Sequence, residues 1–139
     1  MRKATRLLFS AVGLSATLGL SMAAFTSAAE ASAASKLKTY DADHDGTLDL
    51  KEVTAGAGKT FDALNKDKDG TVDIKELQGR LSKTDFAAAD PDHDKTLTKD
   101  EYTAAVVKAF KAADTDHDGT LDIKELKSKP GETVVRLLK

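Results

Sequence analysis

The chain has 139 residues, with 21 Lys and Arg against 23 Asp and Glu, a net charge of −2, and neither Cys nor Trp. The missing Cys excludes disulfides and lipid attachment at a thiol. The few aromatic residues leave a thin core for a domain of this size.

Arg2, Lys3 and Arg6 open the chain, and residues 7–24 are apolar, diluted by Ser and Gly. Ala29 with Ala31, and Ala31 with Ala33, then offer Ala-x-Ala cleavage sites. Residues 1–31 read as a secretory signal peptide cut somewhere within 29–33. The alternative, an uncleaved membrane anchor, is disfavoured because the apolar run is short and ends in small residues. Residues 32–139 are then one small, soluble, exported domain, placed in the periplasm if the cell is Gram-negative.

Four twelve-residue stretches dominate that domain: DADHDGTLDLKE from Asp41, NKDKDGTVDIKE from Asn65, DPDHDKTLTKDE from Asp90 and DTDHDGTLDIKE from Asp114. Each carries an oxygen-bearing side chain at positions 1, 3 and 5, an aliphatic residue at 8 and Glu at 12; three have Gly at 6. This is the EF-hand loop, an oxygen cage for a hard cation. Four in register are not chance. The loops start 24, 25 and 24 residues apart, leaving 12, 13 and 12 residues between them. Twelve helical residues span roughly 18 Å, so a single helix must leave one loop and enter the next. The expected fold is therefore all-α, four fused EF-hands with short helices.

Between loops 1 and 2, residues 51–64 read as a helix weakened by Gly56 and Gly58, with a kink or hinge expected there. After loop 2, short helices are expected at 75–81 and 83–89, the second capped by Ser82 with Asp85 three residues on. Residues 99–113 are the clearest helix, with Tyr102, Val106, Ala109, Phe110 and Ala113 on one stripe. Pro130 restarts a helix after loop 4 whose Val134, Val135, Leu137 and Leu138 must dock. Leu48, Val72, Leu97 and Leu121, at position 8, should lie on extended segments that pair loops through two-residue antiparallel bridges.

The candidate metal ligands follow from loop position. Loop 1 offers Asp41, Asp43, Asp45, the Thr47 carbonyl, Asp49 and bidentate Glu52. Loop 2 offers Asn65, Asp67, Asp69, the Thr71 carbonyl, Asp73 and Glu76. Loop 3 offers Asp90, Asp92, Asp94, the Thr96 carbonyl, Thr98 and Glu101. Loop 4 offers Asp114, Asp116, Asp118, the Thr120 carbonyl, Asp122 and Glu125. The ligand positions of loops 1 and 4 thus carry five carboxylates each, those of loops 2 and 3 four. Loop 3 also places Lys95 where the turn favours Gly, at a strain of about 1 kcal/mol, so it is expected to bind most weakly.

Of the 22 acids after residue 31, the loops hold 19, with seven Lys, a net of −12; the rest of the domain carries +8. Empty loops repel themselves, so an apo form that is loose and a metal-bound form that is compact are expected. Hard oxygen ligands exclude soft metals, and so many flexible carboxylates favour a large ion over Mg²⁺. Taken alone, EF-hand loops favour Ca²⁺. Five carboxylates, however, overcharge a divalent ion, which favours a large trivalent one. His44, His93 and His117 all fall at position 4, where duplication explains them better than a shared transition-metal site. The Lys residues outside the loops are scattered, which reads as a solvated surface rather than a nucleic-acid interface. No nucleophile–base constellation appears, so no enzyme is expected.

The loop spacing, Asp49, Asp73 and Asp122 at position 9, and the stretches FDALNKDKDGTVDIKELQGRLS and AFKAADTDHDGTLDIKELKSKPGETVVRLLK resemble the lanmodulin family of periplasmic, lanthanide-binding EF-hand proteins. The resemblance implies a compact three-helix bundle with peripheral metal sites, hands 2 and 3 paired, and hands 1 and 4 paired. It implies up to four lanthanide(III) ions such as La, Ce or Nd, preferred over Ca²⁺, and ordering on binding. It also implies delivery or uptake partners, among them lanthanide-dependent alcohol dehydrogenases. A monomer, with no nucleic-acid or membrane partner after signal cleavage, is the expected form. Pro91 keeps the family's position-2 proline, while Ala42, Lys66 and Thr115 replace it elsewhere. The rival functions are an exported calcium buffer and a calcium-dependent interaction protein. Both Met residues lie in the signal segment, which counts against a Met-lined sensor groove, and four loops count against a two-loop dockerin-type adhesion module.

Overall fold

The computed structural model describes residues 28–139. The signal-peptide reading falls on residues outside these as far as residue 27, and its remaining residues open the first helix. Among the described residues there are six helices and two small antiparallel sheets: α1 (Ala28–Tyr40), β1 (Leu48–Asp49), α2 (Leu50–Leu64), β2 (Thr71–Asp73), α3 (Lys83–Ala89), β3 (Thr96–Thr98), α4 (Lys99–Ala113), β4 (Thr120–Leu121), α5 (Ile123–Leu126) and α6 (Lys129–Leu137). None of these helices is long and apolar enough to cross a membrane.

Three helices start on a device built from the loops themselves. Asp49 caps α2 by accepting from the Glu52 N–H at 2.7 Å, while Glu52 Oε2 accepts from the Asp49 N–H at 3.0 Å. The same reciprocal capping box opens α4 with Thr98 and Glu101, and α5 with Asp122 and Glu125. Each box satisfies amides that a helix start leaves without partners. Ser82 caps α3 as its spacing predicts, and Ser128 caps α6 with Pro130 in the first turn.

The helix expected over 75–81 does not form. Asp73 and Glu76 make the capping contacts, and one α-type bond follows, Leu77 N–H to the Asp73 carbonyl. Gln78 and Gly79 then take left-handed conformations, φ +50° and +78°, which stop propagation. The kink expected at Gly56 and Gly58 is also absent; α2 runs unbroken from Leu50 to Leu64. A methyl group at Gly56 would sit 2.8 Å from the Tyr40 ring and 3.0 Å from Leu138. Glycine there serves close packing rather than bending.

β1 pairs with β4, setting Leu48 opposite Leu121. β2 pairs with β3 over three residues, one more than expected, with Val72 opposite Leu97. These four position-8 side chains are wholly buried. They join Val53, Ala57 and Phe61 of α2, Tyr102, Val106 and Phe110 of α4, and Val134, Leu137 and Leu138 of α6 in one core. α4 lies against both α2 and α6, and α1 packs on α2, α5 and α6. Phe61 and Tyr102 meet as tilted rings 5.9 Å apart, a favoured aromatic geometry. The extended stretches thus bring loop 1 beside loop 4 and loop 2 beside loop 3, at the edge of a helical core.

The two glycines of α2 separate packing from propensity. Gly56→Ala should destabilise the metal-loaded protein by about 1–3 kcal/mol through overpacking. Gly58→Ala, whose added methyl meets only the flexible Lys99 side chain at 3.4 Å, should stabilise it by about 0.5–1 kcal/mol. Urea denaturation of the two variants checks the pair; equal effects would refute the packing role of Gly56.

Candidate metal centre

In loops 1, 3 and 4 the carboxylates at positions 1, 3 and 5 come together. Asp41, Asp43 and Asp45 each present one oxygen within 4.8 Å of the others, as do Asp90, Asp92 and Asp94, and Asp114, Asp116 and Asp118. Loop 2 has Asn65 in place of the first acid, beside Asp67 and Asp69.

The backbone turn sets this convergence. Position 4 is left-handed in all four loops: His44, Lys68, His93 and His117 have φ between +58° and +62°. Position 6 is left-handed too, at Gly46, Gly70, Lys95 and Gly119. These twists aim amides inward at the acids. The position-5 acids Asp45, Asp69, Asp94 and Asp118 each accept from the Thr N–H and hydroxyl two residues on, Thr47, Thr71, Thr96 and Thr120, at 2.7–2.9 Å. Those bonds hold the carboxyls of Asp45 and Asp69 below the ordinary range, the Thr47 hydroxyl leading at Asp45 and the Thr71 N–H at Asp69. The Thr side chains were missed by reading position 7 only as a carbonyl donor. Their fourfold repetition was the available signal.

Position 1 points to a cation most directly. Asp90 and Asp114 are 3% and 7% exposed. Each accepts a bond on one oxygen, from the N–H of Lys95 and Gly119 respectively. The other oxygens, Asp90 Oδ1 and Asp114 Oδ1, are buried without any hydrogen-bond partner, as is Asn65 Oδ1. Native proteins rarely leave such atoms unsatisfied. A hard cation at the loop centre satisfies all three, so the donor set fits the ion that the loop pattern implies.

Like charges crowd the same space. The Asp45 N–H lowers the Asp43 carboxyl, but desolvation and the charges of Asp45, Glu52 and Asp41 outweigh it and hold Asp43 above the usual range. Asp92 is raised first by its contact with Asp90 and then by desolvation. Burial works against ionised Asp90, yet the Lys95 N–H and the neighbouring Asp92, His93 and Asp94 keep its carboxyl low.

Glu at position 12 closes each loop, and here loop 3 departs. Glu52 is gripped from both sides, by the N–H of Ala42 at 2.6 Å and of Asp49 at 3.0 Å. Glu76 is held likewise by Lys66 and Asp73, and Glu125 by Thr115 and Asp122. Glu101 accepts only from Thr98, through its N–H and hydroxyl at 2.8 Å. Pro91, at position 2, has no N–H to offer. At position 9, Asp49 and Asp122 use one oxygen as a helix cap and Thr98 does so with its hydroxyl, while Asp73 accepts from the Lys75 and Glu76 N–H groups of a turn that no helix follows. The three His side chains are exposed, and the His44 ring meets the Asp41 carbonyl at 3.0 Å.

The sequence model of the EF hand family matches residues 36–55 and 106–128, the stretches containing loops 1 and 4. No match to a curated protein was found. The match and the three Asp clusters agree on metal-binding loops of the EF-hand type.

Lys95, at φ +71°, holds a conformation that Gly adopts freely. Lys95→Gly should relieve about 1 kcal/mol of strain and tighten loop 3 roughly fivefold. Adding Thr98→Asp should tighten it further by supplying a fifth carboxylate. A titration resolved loop by loop, following the position-6 amides by NMR, reads the change. Loop 3 binding no tighter in the double variant would refute both the strain and the charge reasoning.

Proposed function

We propose that this chain is an exported lanthanide-binding protein of four fused EF-hands, which orders on binding and sequesters or shuttles the ion. The carrying observation is the density of hard, charged oxygen at each centre. Loops 1 and 4 carry five carboxylates each at the ligand positions of the loop pattern, three of them converging in each loop, and the buried Asp114 Oδ1 in loop 4 has no hydrogen-bond partner. A divalent ion leaves a larger residual negative charge in such a cage than a trivalent ion does, and the low local dielectric magnifies the difference. Four trivalent ions would neutralise the −12 of the loops. The resemblance to the lanmodulin family supports the same ion. Export rests on the leader-like residues 1–31.

The runner-up is an exported calcium buffer. Asn65, Lys95 and Thr98 make loops 2 and 3 poorer in negative charge than loops 1 and 4, and these two loops are sheet partners. The fold therefore sorts the loops into a charge-rich pair and a charge-poor pair, and calcium suits the second better than the first.

Two measurements test the reading. Circular dichroism should show helix content rising steeply as La³⁺ is added to chelator-treated protein; equal helix content with and without chelator would contradict metal-driven ordering. Protein loaded with Tb³⁺ should then keep its ion, read by emission sensitised through Tyr40 and Tyr102, when challenged with millimolar Ca²⁺. Ready displacement would leave a calcium buffer as the function.

A further inference from the structure

The far end of α6 collects hydrogen bonds from three other parts of the chain. The Tyr102 hydroxyl donates to the Leu137 carbonyl at 2.6 Å. The Tyr40 hydroxyl and the Lys36 ammonium both donate to the Leu138 carbonyl, at 2.7 and 3.0 Å. Arg80 Nη2 donates to the Lys139 backbone oxygen at 2.9 Å, and its Nη1 to the Leu77 carbonyl at 3.2 Å. A helix end leaves its final carbonyls without intrahelical partners and carries partial negative charge, so hydroxyl and cationic donors suit it. The gathering has a cost: burial, then the charges of Lys139 and Arg80, pull the Lys36 ammonium below its ordinary range.

The donors are not arbitrary. Tyr40 immediately precedes Asp41, the first ligand of loop 1. Tyr102 immediately follows Glu101, the closing ligand of loop 3. Arg80 lies four residues past Glu76, which closes loop 2. α6 itself is reached from loop 4 through α5. Gly56 makes the approach of Tyr40 and Leu138 possible. Elsewhere the loops are joined by α2 between loops 1 and 2, by α4 between loops 3 and 4, by the sheets between 1 and 4 and between 2 and 3, and by apolar packing of α4 on α2 and α6. The end of α6 is where the flanks of three loops meet a segment leading from the fourth.

We propose that Tyr40, Arg80 and Tyr102 are positioning residues that tie the loops to the end of α6, so that filling one loop orders the ligands of the others and the cations load cooperatively. This rests on the metal-binding reading above. The isosteric hydroxyl deletions Tyr40→Phe and Tyr102→Phe remove two ties while keeping the rings in the core. A cooperativity that came from apolar packing alone would survive them.

The test is a La³⁺ titration of the full chain, followed at the amides of Gly46, Gly70, Lys95 and Gly119, one per loop. In the unaltered protein the four should shift together with a Hill coefficient well above 1. In the Tyr40→Phe/Tyr102→Phe variant they should separate, with the coefficient falling toward about 1, while helix content at saturating La³⁺ matches the parent. Coincident transitions with an unchanged coefficient in the variant would overturn the proposal, and so would separate transitions in the parent. No response of any amide to La³⁺ or Ca²⁺ would instead sink the metal-binding reading. Should the double variant not regain helix at saturation, Arg80→Met carries the test. It cuts only the tie from loop 2, so Gly70 should separate alone, and a Gly70 transition still coincident with the others overturns the proposal.

Discussion

Position 12 of loops 1, 3 and 4 serves two structures at once. Its carboxylate accepts the N–H of position 9 and so closes the capping box on which α2, α4 and α5 begin. The same carboxylate is the bidentate ligand that an EF-hand loop offers its ion. Each oxygen has two acceptor sites, so one amide bond per oxygen leaves room for a cation. The start of the helix and the closure of the cage are therefore one event. When the cage is empty, Glu52 faces Asp41, Asp43 and Asp45 with no compensating charge, and the repulsion acts on the residue that would nucleate α2. Under the proposed function, this geometry links helix order to ion occupancy with no separate switch.

The core amplifies that linkage because it is built from the same short segments. Leu48, Val72, Leu97 and Leu121 are wholly buried, and each lies four residues before the closing Glu of its loop. A loop that loses its turn also withdraws its position-8 side chain. Removing one buried Leu from a core typically costs about 2–5 kcal/mol, a large fraction of the 5–15 kcal/mol that holds a typical domain folded. The exposed Lys99–Asp62 ion pair at 2.8 Å, the kind of surface contact worth at most about 1 kcal/mol, does not offset such a loss. Stability in this chain is drawn from the loops inward.

Much of this was legible before any coordinates. The helix over 99–113 appears with those limits because its apolar stripe and its capping residue agree. Ser82 with Asp85 marked the start of α3 equally well. Legibility failed where a residue's role depended on distant chain. Gly56 reads as a helix weakener in isolation, and only the arrival of Tyr40 and Leu138 shows why nothing larger fits. Helix was expected over 75–81, yet Gln78 takes a left-handed turn that its own propensity does not announce. Within the loops, spacing named the ligand positions, but it did not show which oxygens would be buried and unpartnered. Nor did it show that the position-2 amide grips the closing Glu. That second fact turns on a backbone N–H, invisible in side-chain patterns except where Pro91 removes it.

The weaker binding expected at loop 3 therefore has more than one cause, and the causes act in the same direction. Lys95 holds a turn that Gly adopts freely, Thr98 withholds a carboxylate, and Pro91 leaves Glu101 held from one side. Yet Asp90 is the most buried acid in the chain's loops, with an orphaned oxygen, so the site retains a strong demand for a cation. Loop 3 also forms the longer of the two sheets with loop 2, Val72 opposite Leu97. A weak cage paired through a three-residue ladder can be ordered by its neighbour before its own ion arrives, and the entropy of arranging its ligands is then already met. Pairing thus allows a poor loop to remain useful: it adds ion capacity without having to fold itself.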